Sequence, residues 1–403
     1  MCHTFESSGL CAGQDFELPD RSTPKKIFAM PSVTDHPFAT LSLLWPAMVA
    51  EEASEFAAAM ADAFIDLAGQ QAEVHCIEPE WVTPNEVVLE LDSVRLRSFC
   101  KFTKGQPTLL CAPFALHAAT LTDIAPNHSL VEALQNATRR PLFVTDWRSA
   151  SPDMGSRGID DYLADLNVLV DEVGGPVDLV GLCQGGWMGL VYEARFPEKV
   201  RKLVLAGAPI DIAAGDSVLS RLSRLTPLEV FKEMVALGGG RMLGRRLLRF
   251  WEPKSLDAEA IHLTLQTAEP IDTGTFRTLE ARFCEWFAWT VDLPGRYYLE
   301  VVERLYQKNE IATGRFTALG RSIDLATVRV PVFMLAARDD QIVAPAQTLN
   351  LRHLVGTRPD AIHNAIAPCT HLGLFMGRQT LASQWREIGL WLAGPEPALS
   401  DAG

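Results

Sequence analysis

The sequence predicts an α/β fold in which a mostly parallel β-sheet carries helices on both faces. Short, continuously apolar runs alternate along the chain with longer stretches of helical periodicity. Strands that are apolar throughout are typical of a parallel sheet covered on both sides. Two adjoining short strands, typical of a hairpin, precede this alternation.

The strands are expected in chain order as follows. A hairpin is predicted from residues 87–91 and 94–99, with its turn at Asp92-Ser93. The later apolar runs are short enough to be buried strands; they are residues 108–112, 142–145, 177–181, 203–206 and 332–336. Helices are expected between them, near residues 127–135, 159–173 and 184–195.

A long gap separates the last two apolar runs. Residues 215–310 have no strand-like run but several helical ones, including 227–237 and 297–306, and they are rich in aromatic side chains. An insertion of this kind predicts a helical cap over the active-site edge of the sheet; a further helical layer without a gating role is the alternative. The predicted organisation is an N-terminal extension (1–84), a core in two parts (85–214 and 311–394), the cap insertion (215–310) and a tail (395–403).

The N-terminal extension is expected to be partly helical over residues 40–70, where apolar residues recur near the helical period. Packing of this helix on the main domain is the default interpretation. Contact with a partner or with an apolar surface is the alternative.

Composition excludes several classes of function. The 403 residues carry a net charge of −14 at neutral pH, which argues against nucleic-acid binding because that needs a basic surface. The eight cysteines form no C-x-x-C pair and no cluster with histidine, so neither a metal site nor a disulfide framework is expected. No secretory signal is visible, and the longest apolar stretch is too short to span a bilayer. We therefore expect a cytoplasmic protein that is not transmembrane and needs no cofactor.

The turn after the run at 177–181 has the pattern of a catalytic site. It leads from a strand into a helix and reads Gly181-Leu182-Cys183-Gln184-Gly185-Gly186. This is the pattern of a nucleophile elbow with cysteine in the place of serine. The glycines let neighbouring backbone approach a strained turn, and the helix N-terminus favours a thiolate. The turn predicts an α/β-hydrolase fold with Cys183 as nucleophile; a buried structural cysteine is the plainer alternative.

A cysteine nucleophile needs a base and an acid that orients the base, and in this fold the acid precedes the histidine in the chain. Asp340 is predicted as the acid because it follows the strand at 332–336 in the usual register, with Asp339 as the alternative. His371 is predicted as the base because it lies in the final loop, close to Gly373.

The remaining site residues are predicted from their positions near these elements. The oxyanion hole is expected to combine the backbone N–H of Gln184 with one from the loop near Phe114 or Ala115. Three side chains are candidates for substrate binding: His117, Trp187 and Trp286. For His117, capping a turn is an equal alternative.

These residues resemble those of the intracellular polyhydroxyalkanoate depolymerases and the related polyhydroxyalkanoate synthases, over roughly residues 85–392. Both groups use a cysteine–aspartate–histidine triad on an α/β-hydrolase fold. The elbow and residues 306–335 are similar to synthases, although synthases usually have a histidine where this chain has Gln341. The segments similar to depolymerases are residues 112–121, 145–147, 160–162, 207–211 and 371–377.

The resemblance implies thioester chemistry at Cys183. On the depolymerase interpretation, favoured by the flanking segments, Cys183 attacks a 3-hydroxyacyl ester of an aliphatic polyester or oligomer, and water or a thiol such as coenzyme A (CoA) releases the acyl group. On the synthase alternative, the thioester forms from a hydroxyacyl-CoA and the hydroxyl of another chain attacks it. A non-catalytic granule-associated protein and a small-molecule hydrolase are further alternatives. The implied partners are the polyester or hydroxyacyl substrate, a polymer granule surface and CoA as acyl donor or acceptor, with oligomer formation left open.

Overall fold

An eight-stranded sheet lies at the centre of the computed structural model, which describes residues 77–99, 101–251, 258–267 and 273–395. The predicted helix over residues 40–70 lies outside the described residues. The strands of the sheet are β1 (Glu86–Glu90), β2 (Val94–Ser98), β3 (Thr108–Cys111), β4 (Leu142–Trp147), β5 (Val177–Leu182), β6 (Val200–Ala206), β7 (Val332–Ala337) and β8 (Ile362–Ala367).

The strand order across the sheet is β1-β2-β4-β3-β5-β6-β7-β8. The pairings of β1 with β2 and of β2 with β4 are antiparallel, and every other pairing is parallel. All residues of β3, β5 and β7 are buried, as expected for inner strands covered on both faces. This arrangement confirms the predicted α/β-hydrolase fold.

The last strand of the sheet, β8, was not predicted from the sequence. Among the described strands it pairs only with β7, and its residues His363, Asn364 and Ile366 are exposed. A partly exposed edge strand needs no continuous apolar run, so the pattern that predicts buried strands is absent here.

Helices lie between the strands as the periodicity predicts. The helix Leu130–Thr138 packs against Arg386–Ala393, and the helix Gln184–Arg195 packs against β5 and β6 of the sheet. The α-helices are α1 (Leu130–Thr138), α2 (Ile159–Val173), α3 (Gln184–Arg195), α4 (Val218–Leu225), α5 (Leu228–Leu237), α6 (Gly244–Trp251), α7 (Ala258–Leu265), α8 (Thr273–Ala288), α9 (Gly295–Glu300), α10 (Pro345–Leu349), α11 (Gly373–Met376), α12 (Arg378–Thr380) and α13 (Arg386–Ala393). Single π-helical turns follow α9 at Val301–Gln307 and precede α13 at Leu381–Trp385.

Helices α4 to α9 lie between β6 and β7 in chain order. The expectation that this stretch contains no strand is wrong in one detail, because Arg241–Met242 pairs with Leu293–Pro294. Strands of two residues carry no periodicity that a sequence could reveal. The domain boundaries given above, including the cap at 215–310, remain a prediction.

The last helix is anchored by three cations at its C-terminal end. Arg140 Nη1 and Arg201 Nη2 each donate to the Leu392 carbonyl at 3.0 Å, and Lys202 Nζ donates to the Trp391 carbonyl at 2.7 Å. Cations at this end satisfy carbonyl groups that have no partner within the helix and oppose its dipole. The contacts fix the end of α13 beside the start of β6.

Candidate active site

Cys183 occupies a strained turn between β5 and α3. Its backbone has φ 47° and ψ −115°, a conformation that a residue with a side chain adopts only when its surroundings enforce it. The Cys183 N–H donates to the Ala206 carbonyl at 2.9 Å, and the Cys183 carbonyl accepts from the Gly186 N–H at 2.9 Å. Both sides of the turn are therefore held by backbone hydrogen bonds.

Glycines are required around this turn for steric reasons. A Cβ atom on Gly185 would lie 2.2 Å from the carbonyl oxygen of Cys111 at the end of β3, and one on Gly181 would lie 2.6 Å from Gly186 Cα. Neither contact can be relieved by moving a side chain, because backbone atoms are on both sides. The sequence Gly-x-Cys-x-Gly thus brings the start of α3 against β3.

Asp340 and His371 meet at the same edge of the sheet, in the loops that follow β7 and β8. Asp340 Oδ2 lies 2.7 Å from His371 Nδ1. The other carboxylate oxygen, Oδ1, accepts from the N–H groups of Ile342 and Val343, both at 2.8 Å, so the carboxylate is fixed in orientation. The Asp339 side chain is 55% exposed and pairs with Arg338. Of the two predicted alternatives, Asp340 is the residue in contact with His371.

The electrostatics of His371 favour its protonated form. Burial is the largest single effect and lowers the pKa of this imidazole, but the effects that raise the pKa outweigh it together, led by the charge of the Asp340 carboxylate. Cys183 contributes in the same direction through its charge and a hydrogen bond, and the pKa of His371 lies well above its ordinary value. Because Nδ1 is engaged by Asp340, Nε2 is the nitrogen that can exchange a proton with the thiol of Cys183. The arrangement can therefore generate a thiolate beside an imidazolium.

Cys183 and His371 line a cavity of about 440 Å³. Its wall is mostly apolar, and much of it comes from the helices between β6 and β7, for example Leu219, Leu222, Phe231, Met234 and Phe287. The predicted site residues Phe114, Ala115, His117, Gln184 and Trp286 also line it. The cavity suits an apolar acyl group next to the thiol.

The residues predicted to supply the oxyanion donors line the same cavity as Cys183. Gln184 begins α3, and Phe114 and Ala115 lie in the loop after β3. Among the turn and loop hydrogen bonds of the described residues, their three N–H groups have no backbone acceptor. The Tyr297 hydroxyl donates to the Phe114 carbonyl at 3.5 Å, which ties this loop to the helices above it.

His117 lies on the cavity wall between two aromatic rings. Its ring centroid is 4.5 Å from that of Trp286 and 4.9 Å from that of Phe287, and its Nδ1 lies 3.3 Å from the Trp289 carbonyl oxygen. Burial lowers the pKa of His117 to about 4, only partly offset by the Trp289 carbonyl. A carbonyl only accepts, so Nδ1 carries the hydrogen and Nε2 is an acceptor.

Trp286 also joins α8 to the loop after β3, because its Nε1 donates to the Ala118 carbonyl at 3.1 Å. Its role and that of His117 in substrate binding remain predictions.

The prediction that Trp187 binds substrate needs correction. Trp187 is fully buried on α3, does not line the cavity, and packs edge-on against Phe316. Its Nε1 donates to Gln184 Oε1 at 2.7 Å. The indole ring therefore lies in the core and not on the cavity wall.

Tyr306 lines the cavity and was missed by sequence reasoning. Its hydroxyl oxygen accepts from Gln184 Nε2 at 2.7 Å. No local pattern could identify this residue, because 122 positions separate it from Gln184 and only the fold brings them together.

The described parts of the chain contain no group of three or more histidine, cysteine or acidic residues that could hold a metal ion. In the same residues, no helix is both long and apolar enough to cross a bilayer. The described cysteines, Cys111, Cys183, Cys284 and Cys369, are free thiols.

Comparison with known proteins identifies relatives along most of the chain. A poly(3-hydroxyalkanoate) polymerase subunit PhaC from Allochromatium vinosum is 27% identical over 77% of this chain and 88% of the relative. The proteins of the same name from Haloferax mediterranei and Thiocystis violacea are each 24% identical over 77% of this chain, and the alignments cover 64% and 88% of those relatives.

Similarity to solved structures is weaker in sequence. A monoacylglycerol lipase from Paleococcus ferrophilus is 16% identical with a TM-score of 0.48, covering 74% of this chain and 98% of the lipase. A bromoperoxidase from Bacillus anthracis is 16% identical with a TM-score of 0.46, covering 77% of this chain and 99% of that protein.

The relatives contradict the prediction of a hydrolase that cleaves polyhydroxyalkanoate esters. The three relatives are polymerases by name, so the depolymerase interpretation is wrong. Two of the segments that favoured it, residues 112–121 and 371–377, contribute residues such as Phe114 and His371 to the cavity wall, and cleavage and synthesis of an ester would both need such a site. They therefore could not distinguish cleavage from synthesis.

The family model described as "Protein of unknown function (DUF3141)" matches residues 156–375, which is more than half of the chain. This match begins before α2 and ends within α11, so it includes Cys183, Asp340 and His371. The relatives confirm the resemblance to the polyhydroxyalkanoate synthase group, and the extent of the family match shows that the chain belongs to the DUF3141 family.

Proposed function

We propose that the chain is an acyltransferase that joins 3-hydroxyacyl units from CoA thioesters into a polyester. The proposal rests on one observation above all: a cysteine on a strained turn shares an apolar cavity with a histidine held by a buried aspartate. A thiol nucleophile suits exchange between thioesters, because the leaving thiol and the attacking thiol have similar basicity.

The first step is acylation of Cys183. His371 Nε2 takes the proton of the Cys183 thiol, and the thiolate attacks the carbonyl carbon of the CoA thioester. Backbone N–H groups of Gln184 and of Phe114 or Ala115 stabilise the oxyanion. The carbon–sulfur bond to CoA then breaks, and the CoA thiolate recovers the proton from His371. Asp340 stabilises the imidazolium throughout.

The second step transfers the acyl group to a hydroxyl. His371 takes the proton of the 3-hydroxyl of another hydroxyacyl unit, whose oxygen attacks the thioester on Cys183. An ester bond forms, the bond to Cys183 Sγ breaks, and the cysteine regains a proton from His371. One CoA is released for each ester bond that forms.

Two features support synthesis as the direction. The cavity wall is mostly apolar, so a bound acyl chain excludes the water that would otherwise compete with the hydroxyl. The similar proteins named above are poly(3-hydroxyalkanoate) polymerase subunits. An apolar polymer leaves water as it grows, so we expect the protein to remain at the surface of a cytoplasmic polymer granule.

The test is incubation of the purified protein with 3-hydroxybutyryl-CoA. We expect free CoA to accumulate in step with acid-insoluble polyester, and mass spectrometry of quenched samples to find the acyl group on the Cys183 peptide. Cys183→Ala should release no CoA. The exposed Cys284 offers a matched control, because Cys284→Ser removes a thiol outside the cavity and should leave turnover unchanged.

Two results would contradict the proposal. One is release of soluble 3-hydroxyacids from amorphous polymer without any growth of polymer from the CoA thioester. The other is unchanged CoA release in the Cys183→Ala variant.

A further inference from the structure

A short chain of side-chain hydrogen bonds leads from the core to the cavity. Trp187 Nε1 donates to Gln184 Oε1 at 2.7 Å, and Gln184 Nε2 donates to the Tyr306 hydroxyl oxygen at 2.7 Å. Trp187 is fully buried, whereas Gln184 and Tyr306 line the cavity beside Cys183. The chain therefore has one end in the core and one at the site.

The direction of each hydrogen bond follows from chemistry. An indole nitrogen can only donate, so the atom of Gln184 that faces Trp187 must be its oxygen. This fixes the amide orientation, and the nitrogen of Gln184 must then face Tyr306. Because that nitrogen also only donates, the Tyr306 oxygen accepts, and the hydrogen of its hydroxyl must point elsewhere.

No acceptor for this hydrogen is present among the described residues. Tyr306 is only 4% exposed, and a buried hydroxyl hydrogen without an acceptor is costly. Burial, and to a lesser extent the nearby Cys183, raise the pKa of Tyr306 far above its ordinary value, so the phenol keeps its proton. The available position for an acceptor is the cavity that Tyr306 lines.

We propose that Tyr306 donates its hydroxyl hydrogen to the 3-oxygen of the acyl group bound at Cys183, and that the Trp187–Gln184–Tyr306 chain thereby selects 3-hydroxyacyl over unsubstituted acyl substrates. This inference rests on the proposed function. The carbonyl oxygen of the acyl group has its own donors in the backbone N–H groups beside Cys183. The 3-oxygen lies two carbons further into a mostly apolar cavity, where it would otherwise lose its hydration without replacement.

The experiment compares two CoA thioesters that differ only in this oxygen, 3-hydroxybutyryl-CoA and butyryl-CoA. Acylation of Cys183 is measured as CoA released in a single turnover. We expect the wild-type protein to prefer the hydroxyacyl substrate by about tenfold or more, because a site built for a hydroxyl rejects an analogue without it. Tyr306→Phe should reduce this preference to about twofold or less, through a slower reaction of the hydroxyacyl substrate alone.

Two further variants test the mechanism of selection. Trp187→Phe keeps a ring in the core but removes the donor, so the Gln184 amide can turn over and accept the Tyr306 hydrogen itself. The preference should then fall although Tyr306 is intact. Tyr192→Phe is the matched control, because the Tyr192 hydroxyl donates to Asn167 outside the cavity, and its removal should leave the preference unchanged.

The possible failures are distinguishable. Equal slowing of both substrates by Tyr306→Phe would overturn the inference, since it would place the hydroxyl at the carbonyl or in support of the fold. An unchanged preference in Trp187→Phe would overturn the hydrogen-bond chain. If the wild-type protein forms no acyl group on Cys183 from either thioester, the proposed function fails, and the inference fails with it.

Discussion

Glu193 of α3 is a buried acid whose ionisation should weaken the fold. Its side chain is fully buried, and neither carboxyl oxygen has a hydrogen-bond partner in the described structure. Burial raises the pKa of Glu193 from 4.5 to about 8, because the charged form loses its hydration without gaining a partner. Helix α3 also carries Cys183 at its N-terminal end, so its stability matters to the site.

The pH dependence follows from the two pKa values. Between 4.5 and about 8 the folded chain keeps this proton while the unfolded chain releases it. The contribution of Glu193 to stability is therefore complete below the lower value and is lost as the pH rises through the window. At the upper end the loss is roughly 5 kcal/mol, from about 1.4 kcal/mol for each unit of difference.

The variant Glu193→Gln removes the titration while keeping the shape of the side chain. We expect it to match the wild-type free energy of unfolding near the lower end of the window and to exceed it by several kcal/mol near the upper end. Glu193→Met should show the same gain in stability with rising pH, since it also removes the titrating group. Denaturant unfolding monitored by tryptophan fluorescence at both pH values measures the difference.

The exposed Glu198 supplies the control, because Glu198→Gln changes the same charge in solvent and should have no pH-dependent effect on stability. The reasoning would be refuted if Glu193→Gln and wild type differed by the same amount at both pH values, or if the variant were less stable at the higher pH.

Three further predictions concern the site. Asp340→Asn should slow acylation of Cys183 by about 10²–10⁴-fold and shift the loss of the imidazolium proton to lower pH, because the carboxylate that raises the pKa of His371 is gone. The control Asp339→Asn should leave both the rate and the pH profile near those of the wild type. Equal effects of the two substitutions would refute the prediction. Gly185→Ala should destabilise the chain by more than about 4 kcal/mol or prevent folding. By contrast, a Cβ on Gly189 of the same helix would meet side-chain atoms of Leu179 and Leu203 at 3.3 Å or more and no backbone, so Gly189→Ala should change the unfolding free energy by no more than about 1 kcal/mol. The imidazole of His117 should remain neutral above about pH 5, given its lowered pKa of about 4. Its NMR signal is identified as the histidine signal that a His117→Gln variant loses. Titration of that signal near neutral pH in the wild-type protein would contradict this prediction.

The elbow could be predicted because its requirements are local. A strand, a turn framed by glycines and a helix are adjacent in the chain, and the Cβ clashes at Gly181 and Gly185 explain why those residue types are needed. The register of the loop after β7 likewise placed Asp340, rather than Asp339, against His371.

Features that depend on distant contacts could not be predicted in this way. Tyr306 reaches Gln184 through the folding of the intervening chain, and Trp187 is buried against Phe316, which is distant in sequence. The edge strand β8 has exposed polar residues in place of an apolar run. The direction of the reaction depends on which nucleophile reaches the thioester, and the residues of the triad are the same in both cases.

The cations at the end of α13 hold the C-terminal end of this helix at one edge of the sheet. Arg201 and Lys202 belong to the start of β6, whereas the loops with Cys183, Asp340 and His371 follow the ends of parallel strands at the opposite edge of the sheet. A strand of this length separates the two edges by roughly 20 Å. A fluorophore, an affinity tag or a surface tether attached at Pro395 would therefore lie on the side away from the cavity, which makes this position suitable for immobilising the protein with the cavity left accessible.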